Sequence, residues 1–185
     1  RDWSSDVCSS DLVFDGSKAG PYVEGDKTRP LNVYGESKLA GERAVQAGCG
    51  KHVILRTSWV YGARGKNFFL TIRKLAQERD ELKIVDDQIG APTWCRDIAN
   101  ATAQIIGQLQ KTDGPEKSGV YHLSAEGSTS WYGFAAAIVA ETCEDRKPRL
   151  TPIPSAQYPT PAARPRNSVL SHEKLDRKST RLNSS

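Results

Sequence analysis

The chain has 185 residues, of which 37% are hydrophobic and 26% charged, and its formal net charge is +4. These values are typical of an ordinary folded domain and exclude a disordered or fibrous chain. The basic residues are scattered, which favours a solvated surface over a nucleic-acid interface. No apolar run approaches the ~18 residues of a membrane span. We therefore expect neither nucleic acid nor a membrane as a partner.

The four cysteines are far apart and form no CxxC pair, and the three histidines are isolated from one another. This spacing predicts neither a zinc site nor a disulfide framework, and it favours a reducing, cytoplasmic location. No signal peptide is visible at the start. The chain contains no methionine, so we expect it to be a fragment or a processed piece.

Both ends of the chain lack an apolar period. We expect residues 1–12 and 176–185 to be non-native, because they are similar to translated adapter remnants, with disordered native termini as the alternative. Between them, residues 13–66 are predicted to be the C-terminal part of a dinucleotide-binding domain. Residues 67–175 are predicted to supply the remaining sheet elements and a substrate lobe.

The first half of the chain alternates between strand and helix patterns. Residues 13–16 are predicted as the end of a buried strand, and residues 17–30 as a loop over the site. A helix is predicted over residues 31–48, with Gly48 as its stop, followed by a strand at 52–57. A helix followed by a strand at this spacing is half of a parallel α/β unit.

The second half continues the alternation. Helices are predicted over residues 67–79, 97–109 and 130–143, the last capped by Ser128 or Thr129, and strands over 82–85, 119–123 and 150–153. Residues 88–94 and 152–165 are predicted to be irregular. The fold class is therefore α/β, the C-terminal part of a doubly wound parallel (Rossmann-type) sheet with a smaller substrate-binding lobe. No glycine-rich pyrophosphate turn follows any predicted strand.

Tyr34 and Lys38 stand four residues apart in the first predicted helix, and so they share one face. A lysine ammonium close to a phenol lowers the pKa of the tyrosine. Such a tyrosine can donate a proton to a carbonyl oxygen, which suits nicotinamide-dependent carbonyl reduction. The alternatives are a packed tyrosine with a satisfied hydroxyl and a lysine on a solvated helix face.

Five stretches carry a resemblance to a known family: VFDG, YGESKLAGE, LRTSWVYG, GAPT and RPRNS, at residues 13–16, 34–42, 55–62, 90–93 and 164–168. In this order the chain resembles the dTDP-4-dehydrorhamnose reductases of the extended short-chain dehydrogenase/reductase group. The resemblance implies reduction of dTDP-4-dehydro-6-deoxy-L-mannose to dTDP-L-rhamnose, a precursor of cell-surface polysaccharide. The implied cofactor is NADPH, with NADH as the alternative.

The resemblance also implies roles at the reacting centre. Tyr34 would donate the proton, and Lys38 would lower its pKa and bind the nicotinamide ribose, so that both contact the cofactor. Ser10 and Asp11 stand where the family has the first two residues of Thr-Asp-Tyr. Both would bind the substrate, and the Ser10 hydroxyl would polarise the keto oxygen. Leu12 replaces the tyrosine. A coincidental match within a foreign segment remains the alternative for Ser10.

Other residues are implied to bind the dTDP-sugar. Trp59 would contact the nucleotide-sugar, with a core tryptophan as the alternative. The stretch that contains Gly90, Pro92 and Thr93 would approach the deoxysugar, or be a plain surface turn. Arg164 and Arg166 would neutralise the diphosphate, or be ordinary surface arginines. Some members hold magnesium through glutamates, but the segment at 94–97 contains none, and we expect no metal.

Other functions stay open at this level. A 4,6-dehydratase of the same fold needs a carboxylate pair, and Asp11 supplies one. Nothing in the sequence decides for or against an epimerase. A non-catalytic NADP-binding regulatory subunit is the alternative from another class, although Tyr34, Lys38 and Trp59 together favour an enzyme. A homodimer is an option for a full-length protein, and the chain alone is expected to be poorly stable and inactive.

Overall fold

The computed structural model describes residues 8–49, 52–110, 118–143 and 147–180. Its helices are α1 (Val33–Gly48), α2 (Phe68–Glu78), α3 (Cys95–Gln110), α4 (Trp131–Thr142) and α5 (Glu173–Thr180). Its strands are β1 (Cys8–Ser10), β2 (Val53–Thr57), β3 (Val60–Tyr61), β4 (Glu81–Val85), β5 (Ile89–Gly90), β6 (Thr93–Trp94), β7 (Gly119–His122), β8 (Thr129–Ser130) and β9 (Arg149–Ile153).

The main sheet is parallel and has the order β1–β2–β7 within the described ranges. Ser10 pairs with Thr57, and Arg56 pairs with His122, so that the three strands end close to one edge. In open α/β sheets this carboxyl edge is where ligands bind. The predicted α/β class with a parallel sheet is therefore confirmed.

Three helices begin at a side-chain cap that the sequence supplies directly. Asn32 and Asn67 accept hydrogen bonds from the third residue beyond them, at 2.8 Å and 3.1 Å, and so start α1 and α2. Ser130 does the same for α4 at 2.9 Å. Each cap satisfies a backbone N–H that has no partner inside the helix. The predicted cap of α4 at Ser128 or Thr129 was wrong, because Ser130 takes this position.

A second, apolar layer forms a lobe beside the main sheet. Strands β4 and β9 pair in parallel over five residues each, and helices α2 and α4 pack against them. The buried residues of this core are Ile72, Ala76, Leu82, Ile84, Ala135, Ile138, Val139 and Cys143. The apolar period of α2 predicted the face that it buries here. We call this unit the lobe.

The start of the described chain departs from the prediction. The strand before the site is Cys8–Ser10, and a short 3-10 helix covers Asp11–Val13, so the strand predicted at residues 13–16 was wrong. Residues 8–12 therefore take part in the fold, although they lie in a segment that is expected from sequence to be non-native. Whether residues 1–12 are native stays a prediction, and residues 1–7 lie outside the described part.

The loop at residues 17–30 is irregular as predicted, but it does not line the cavity described below. Tyr22 instead stacks on Phe14, with ring centroids 4.2 Å apart, and forms a bridge with Leu170. Several short regular elements were missed. The two-residue strands β3, β5, β6 and β8 were not predicted, and β5 and β6 show that the prediction of an irregular segment at 88–94 was wrong in part, because these strands are determined by pairing with other segments. A 3-10 helix covers Ser155–Gln157, and α5 extends into the segment that was expected to be non-native.

Candidate active site

A cavity of about 830 Å³ opens at the carboxyl ends of β1 and β2. This volume is in the usual range for a small-molecule site. Of the residues predicted from sequence, the lining includes Ser10, Asp11, Tyr34, Lys38, Trp59 and Arg164. Ser10 and Arg164, which are 154 positions apart in the chain, are therefore brought to one place by the fold.

Tyr34 is brought to the cavity by the way α1 begins. A Cβ at Gly35 would lie 2.2 Å from the carbonyl oxygen of Leu12, so only a glycine allows the helix to approach the 3-10 turn this closely. Lys38 follows one turn later, with its Nζ 5.6 Å from the centroid of the Tyr34 ring. The predicted i, i+4 pair is therefore adjacent, in a cation–π arrangement.

Asp11 is the buried carboxyl of the site, with 6% of its surface exposed. The hydroxyl of Ser10 donates to its Oδ1 at 3.2 Å. Burial raises the pKa of Asp11 to about 6, although hydrogen bonds from Ser168 and Ser10 and the charge of Arg164 act in the opposite direction. The site thus holds a carboxyl group that exchanges its proton close to neutral pH.

The pKa of Tyr34 departs from the expectation. Burial raises it, and the negative charge of Asp11 raises it further. The sequence predicted a lowering by Lys38. That prediction considered the one neighbour on the same helix and could not include a carboxylate contributed by another element.

Trp59 adopts a left-handed backbone conformation, with φ of 46°. Its ring stacks on Trp131, with centroids 3.5 Å apart and planes 8° from parallel. Gly90 makes room for it, because a Cβ there would lie 2.4 Å from Cε2 of Trp59. Gly90 therefore shapes the site through Trp59 and does not itself line the cavity.

Three further residues predicted to bind substrate do not line the cavity either. Thr93 is buried, and its hydroxyl donates to the carbonyl of Ala91 at 2.9 Å and accepts from the amide of Ala125 at 3.1 Å. Thr93 thus holds the chain together at this point. Pro92 and Arg166 are also absent from the lining, where Arg164 supplies the guanidinium.

Sequence reasoning missed five hydroxyl, amide or aromatic residues of the lining: Thr57, Gln88, Thr102, Trp131 and Ser168. Thr57 is the last residue of the predicted strand at 52–57, and this position at a carboxyl end is a signal that was available. Its hydroxyl is buried and has no hydrogen-bond partner among the described residues. Because buried polar atoms are nearly always paired, this hydroxyl is suited to a bound ligand.

The sequence profile of the RmlD substrate binding domain matches residues 7–184. The chain belongs to this family. It is 51% identical over 175 residues to a dTDP-4-dehydrorhamnose reductase of Burkholderia thailandensis, covering 90% of this chain and 59% of that protein. It is 38% identical over 168 residues to the spore coat polysaccharide biosynthesis protein SpsK of Bacillus subtilis, covering 91% of this chain and 56% of that protein.

Solved structures agree with this family. A dTDP-4-dehydrorhamnose reductase of Bacillus anthracis in complex with NADP matches with a TM-score of 0.83 and 37% identity, over 96% of this chain and 58% of that one. The Clostridium acetobutylicum orthologue gives 0.85 and 38%, over 93% and 58%. A UDP-galactose 4-epimerase at 19% identity shares the fold. This chain thus spans less than two thirds of the length of these relatives.

In the ranges given above, no group of three or more His, Cys, Asp or Glu side chains is arranged to hold a metal ion. None of the helices that the structure describes combines the length and apolar character needed to cross a bilayer.

Proposed function

We propose that the protein containing this chain reduces the 4-keto group of dTDP-4-dehydro-6-deoxy-L-mannose to dTDP-L-rhamnose with NADPH. The observation that carries this proposal is the meeting of Ser10, Tyr34 and Lys38 in one cavity at the carboxyl edge of a parallel sheet. The names of the relatives support it. The chain covers 59% of the first of these relatives, so that relative's activity is assigned to this protein only as a proposal.

Tyr34 is the proposed proton donor. Reduction of a ketone adds a hydride to the carbon and a proton to the oxygen. Burial and Asp11 raise the pKa of Tyr34, so the phenol carries its proton at neutral pH. Lys38, 5.6 Å from the ring centroid, would stabilise the phenolate that forms when the proton leaves.

Ser10 would act beside Tyr34. Its hydroxyl lies next to the Asp11 carboxyl, 3.2 Å away, and at the end of the strand that neighbours β2. A hydroxyl donor at this position would stabilise the negative charge that develops on the keto oxygen. The hydroxyl has a single proton, which it donates to Asp11 in the free protein, so this bond would be exchanged for one to the keto oxygen when the substrate binds.

The residues present fit the nicotinamide end of the cofactor. Lys38 and Tyr34 would hold the ribose, and the unpaired buried hydroxyl of Thr57 offers a further polar contact in the same cavity. NADPH, when bound, supplies the hydride. The substrate would lie against the flat ring of Trp59, and Arg164 would balance the charge of its diphosphate.

A dehydratase of the same fold is less well supported. Its chemistry needs a second acid–base carboxylate beside the first. Among the described residues that line the cavity, Asp11 is the one carboxylate, and its chain neighbour is Leu12. An epimerase has no observation of its own in its favour, since the epimerase match shows the fold alone.

Turnover of the Tyr34→Phe variant tests the proposal. The experiment uses the protein from the complete reading frame, with NADPH oxidation followed in the presence of the keto sugar. We expect kcat to fall by about 10²–10⁴-fold, the usual contribution of a positioned acid, while dTDP binds as before. Tyr158→Phe, at an exposed tyrosine outside the cavity lining, is the matched control.

Two results would contradict the proposal. Near-normal turnover of Tyr34→Phe would remove Tyr34 from the reaction. A wild-type protein that binds NADPH and dTDP but oxidises no NADPH with the keto sugar would instead favour the regulatory-subunit alternative.

A further inference from the structure

An amide and an indole line the cavity together, and neither belongs to the motifs that the proposed reaction uses. The Nε1–H of Trp131 donates to Oε1 of Gln88 at 3.2 Å. Gln88 follows β4 by three residues, whereas Trp131 opens α4 forty-three residues later. Both side chains are half-buried in the wall of the cavity.

This hydrogen bond fixes which way the amide points. An indole nitrogen can only donate, so it must meet the amide oxygen and not the amide nitrogen. The Nε2 of Gln88 is then directed away from Trp131 with two N–H donors. The bond to Trp131 is the one that the structure shows for this amide among the described residues.

Trp131 is itself held on several sides. Its ring stacks on Trp59 and also contacts Phe68, with centroids 3.5 Å and 4.5 Å away. The cap of its helix, Ser130, donates to Oδ1 of Asp86, two residues before Gln88. Next to this pair, β5 and β8 pair through their backbones, with Ile89 opposite Ser130. The segments that carry the indole and the amide are therefore joined through backbone and side chains, which limits their freedom to rearrange.

We propose that Gln88, oriented by Trp131, donates a hydrogen bond to an acceptor oxygen of the bound nucleotide-sugar. Gln88 is the binding residue, and Trp131 is a positioning residue. The acceptor is an oxygen of the diphosphate or of the sugar, both of which accept from an amide N–H. The inference rests on the proposed function, because it names a further contact in the same cavity.

The surroundings favour this class of ligand. The stacked rings of Trp59 and Trp131 present an apolar wall of the kind that sugars and bases pack against. Arg164 supplies a positive charge to the same cavity. A neutral amide in the wall adds a directional donor to a site whose cations are Lys38 and the long, exposed side chain of Arg164.

The test is a double-mutant cycle measured by calorimetry, with dTDP and dTDP-glucose as the two ligands. The variants are Gln88→Met, which removes the amide at similar length and without adding charge, Trp131→Phe, and the two together. Gln77→Met, on the exposed face of α2, makes the same chemical change outside the cavity. Circular dichroism and thermal melts confirm that each variant is folded.

We expect Gln88→Met to weaken binding about fivefold to tenfold, the usual loss for one hydrogen bond, and Gln77→Met to leave it unchanged. Trp131→Phe should also weaken binding, and its effect should shrink when Gln88 is already methionine, because no amide remains to be oriented. A loss already present with dTDP places the acceptor on the diphosphate. A loss confined to dTDP-glucose places it on the sugar.

Two results would overturn the inference alone. One is equal affinity of Gln88→Met and Gln77→Met for both ligands, and the other is strict additivity of the Gln88 and Trp131 effects. A wild-type protein that binds neither dTDP nor dTDP-glucose would overturn the proposed function and this inference together. The two failures are therefore distinguishable.

Discussion

The edge of the main sheet and the lobe bury different types of side chain. The lobe core consists of aliphatic side chains, alanines and one cysteine, and apolar rings pack around it. The sheet edge instead buries Arg56, Glu42, Asp11 and His122, together with the hydroxyl of Thr57. Apolar burial stabilises a fold at little risk, whereas each buried polar group costs free energy unless it is paired.

The difference indicates which region serves the ligand. Some polar groups of the sheet edge are paired within the protein, as Arg56 is with Glu42 through two hydrogen bonds of 2.7 Å and 2.8 Å. Glu42 lies on α1, four residues beyond Lys38 and eight beyond Tyr34, so its pair with Arg56 ties the face of the helix that carries the two proposed catalytic residues to β2. Other groups, above all the Thr57 hydroxyl, have no partner in the described protein.

The largest effect on stability is expected from Glu42→Gln. Loss of the carboxylate charge leaves the guanidinium of Arg56 buried without its ion-pair partner, which typically costs about 3–5 kcal/mol. Urea denaturation measures the free energy of unfolding. Glu36→Gln, at an exposed position on the same helix, should cost less than about 1 kcal/mol. Equal losses in both variants would show that the buried pair does not hold α1.

Ile138→Ala is expected to destabilise the lobe. Ile138 is 3% exposed in the apolar core, and removal of a buried aliphatic side chain costs about 2–5 kcal/mol. Below the melting transition, kcat/KM should stay close to the wild-type value, because the lobe core contributes no group to the reaction. Val45→Ala on α1, where the side chain is 39% exposed, is the control for stability. A large fall in kcat/KM for the fully folded variant would show that the lobe core affects the reaction at the sheet edge.

Asp11→Asn should change how stability depends on pH. The folded-state pKa of Asp11, about 6, is above the unfolded value of 3.8, so the folded state binds the proton more tightly. Its contribution to stability is present below about pH 4 and is lost as the pH rises through 6, by up to ~3 kcal/mol. The free energy of unfolding of the variant should therefore rise relative to that of the wild type as the pH is raised from 4 to 7.

The Asp11 measurement compares the unfolding free energies of variant and wild type at each pH. This comparison is needed because His122 titrates in the opposite sense: burial lowers its pKa to about 4. Its stability contribution is lost as the pH falls from about 6.5 toward 4. A difference between variant and wild type that is constant with pH would contradict the burial of an ionising Asp11.

The smallest effect is expected from Thr57→Val, and its two parts have opposite signs. Without ligand, the variant should be more stable by about 1 kcal/mol, because a methyl group replaces an unpaired buried hydroxyl. With ligand, kcat/KM of the proposed reaction should fall about threefold to tenfold. Thr142→Val is the control, since that hydroxyl already donates to the carbonyl of Ile138 at 2.7 Å. A destabilised Thr57→Val would mean that the hydroxyl has a partner in the free protein.

The regular elements could be predicted because their causes are local. Apolar periodicity and stop residues predicted α1 to α4 within about two residues, and the short buried strands β2, β4, β7 and β9 equally closely. The start of the chain was predicted less well. Cys8–Ser10 is only three residues long and lies in a segment of low apolar content, so its strand is determined by pairing with β2 and not by its own pattern.

The site was predicted in part for the same reason. The spacing of Tyr34 and Lys38 is a property of one helix, and so the sequence determined that they are adjacent. Which of the later residues reach the cavity was decided by tertiary packing: Arg164 lines it and Arg166 does not, although they are two positions apart. Gly90 and Thr93 turned out to support neighbouring residues.

By itself, then, the sequence determined helices α1 to α4, the parallel α/β class and the Tyr34–Lys38 pair, all of which depend on neighbours within a few positions. Only the tertiary structure decided the direction of the Tyr34 pKa, because the burial and the Asp11 charge that raise it come from a different element. The same holds for the Trp131–Gln88 hydrogen bond. Electrostatic and packing effects act through space over a few ångströms, and the chain separation of the groups does not enter them.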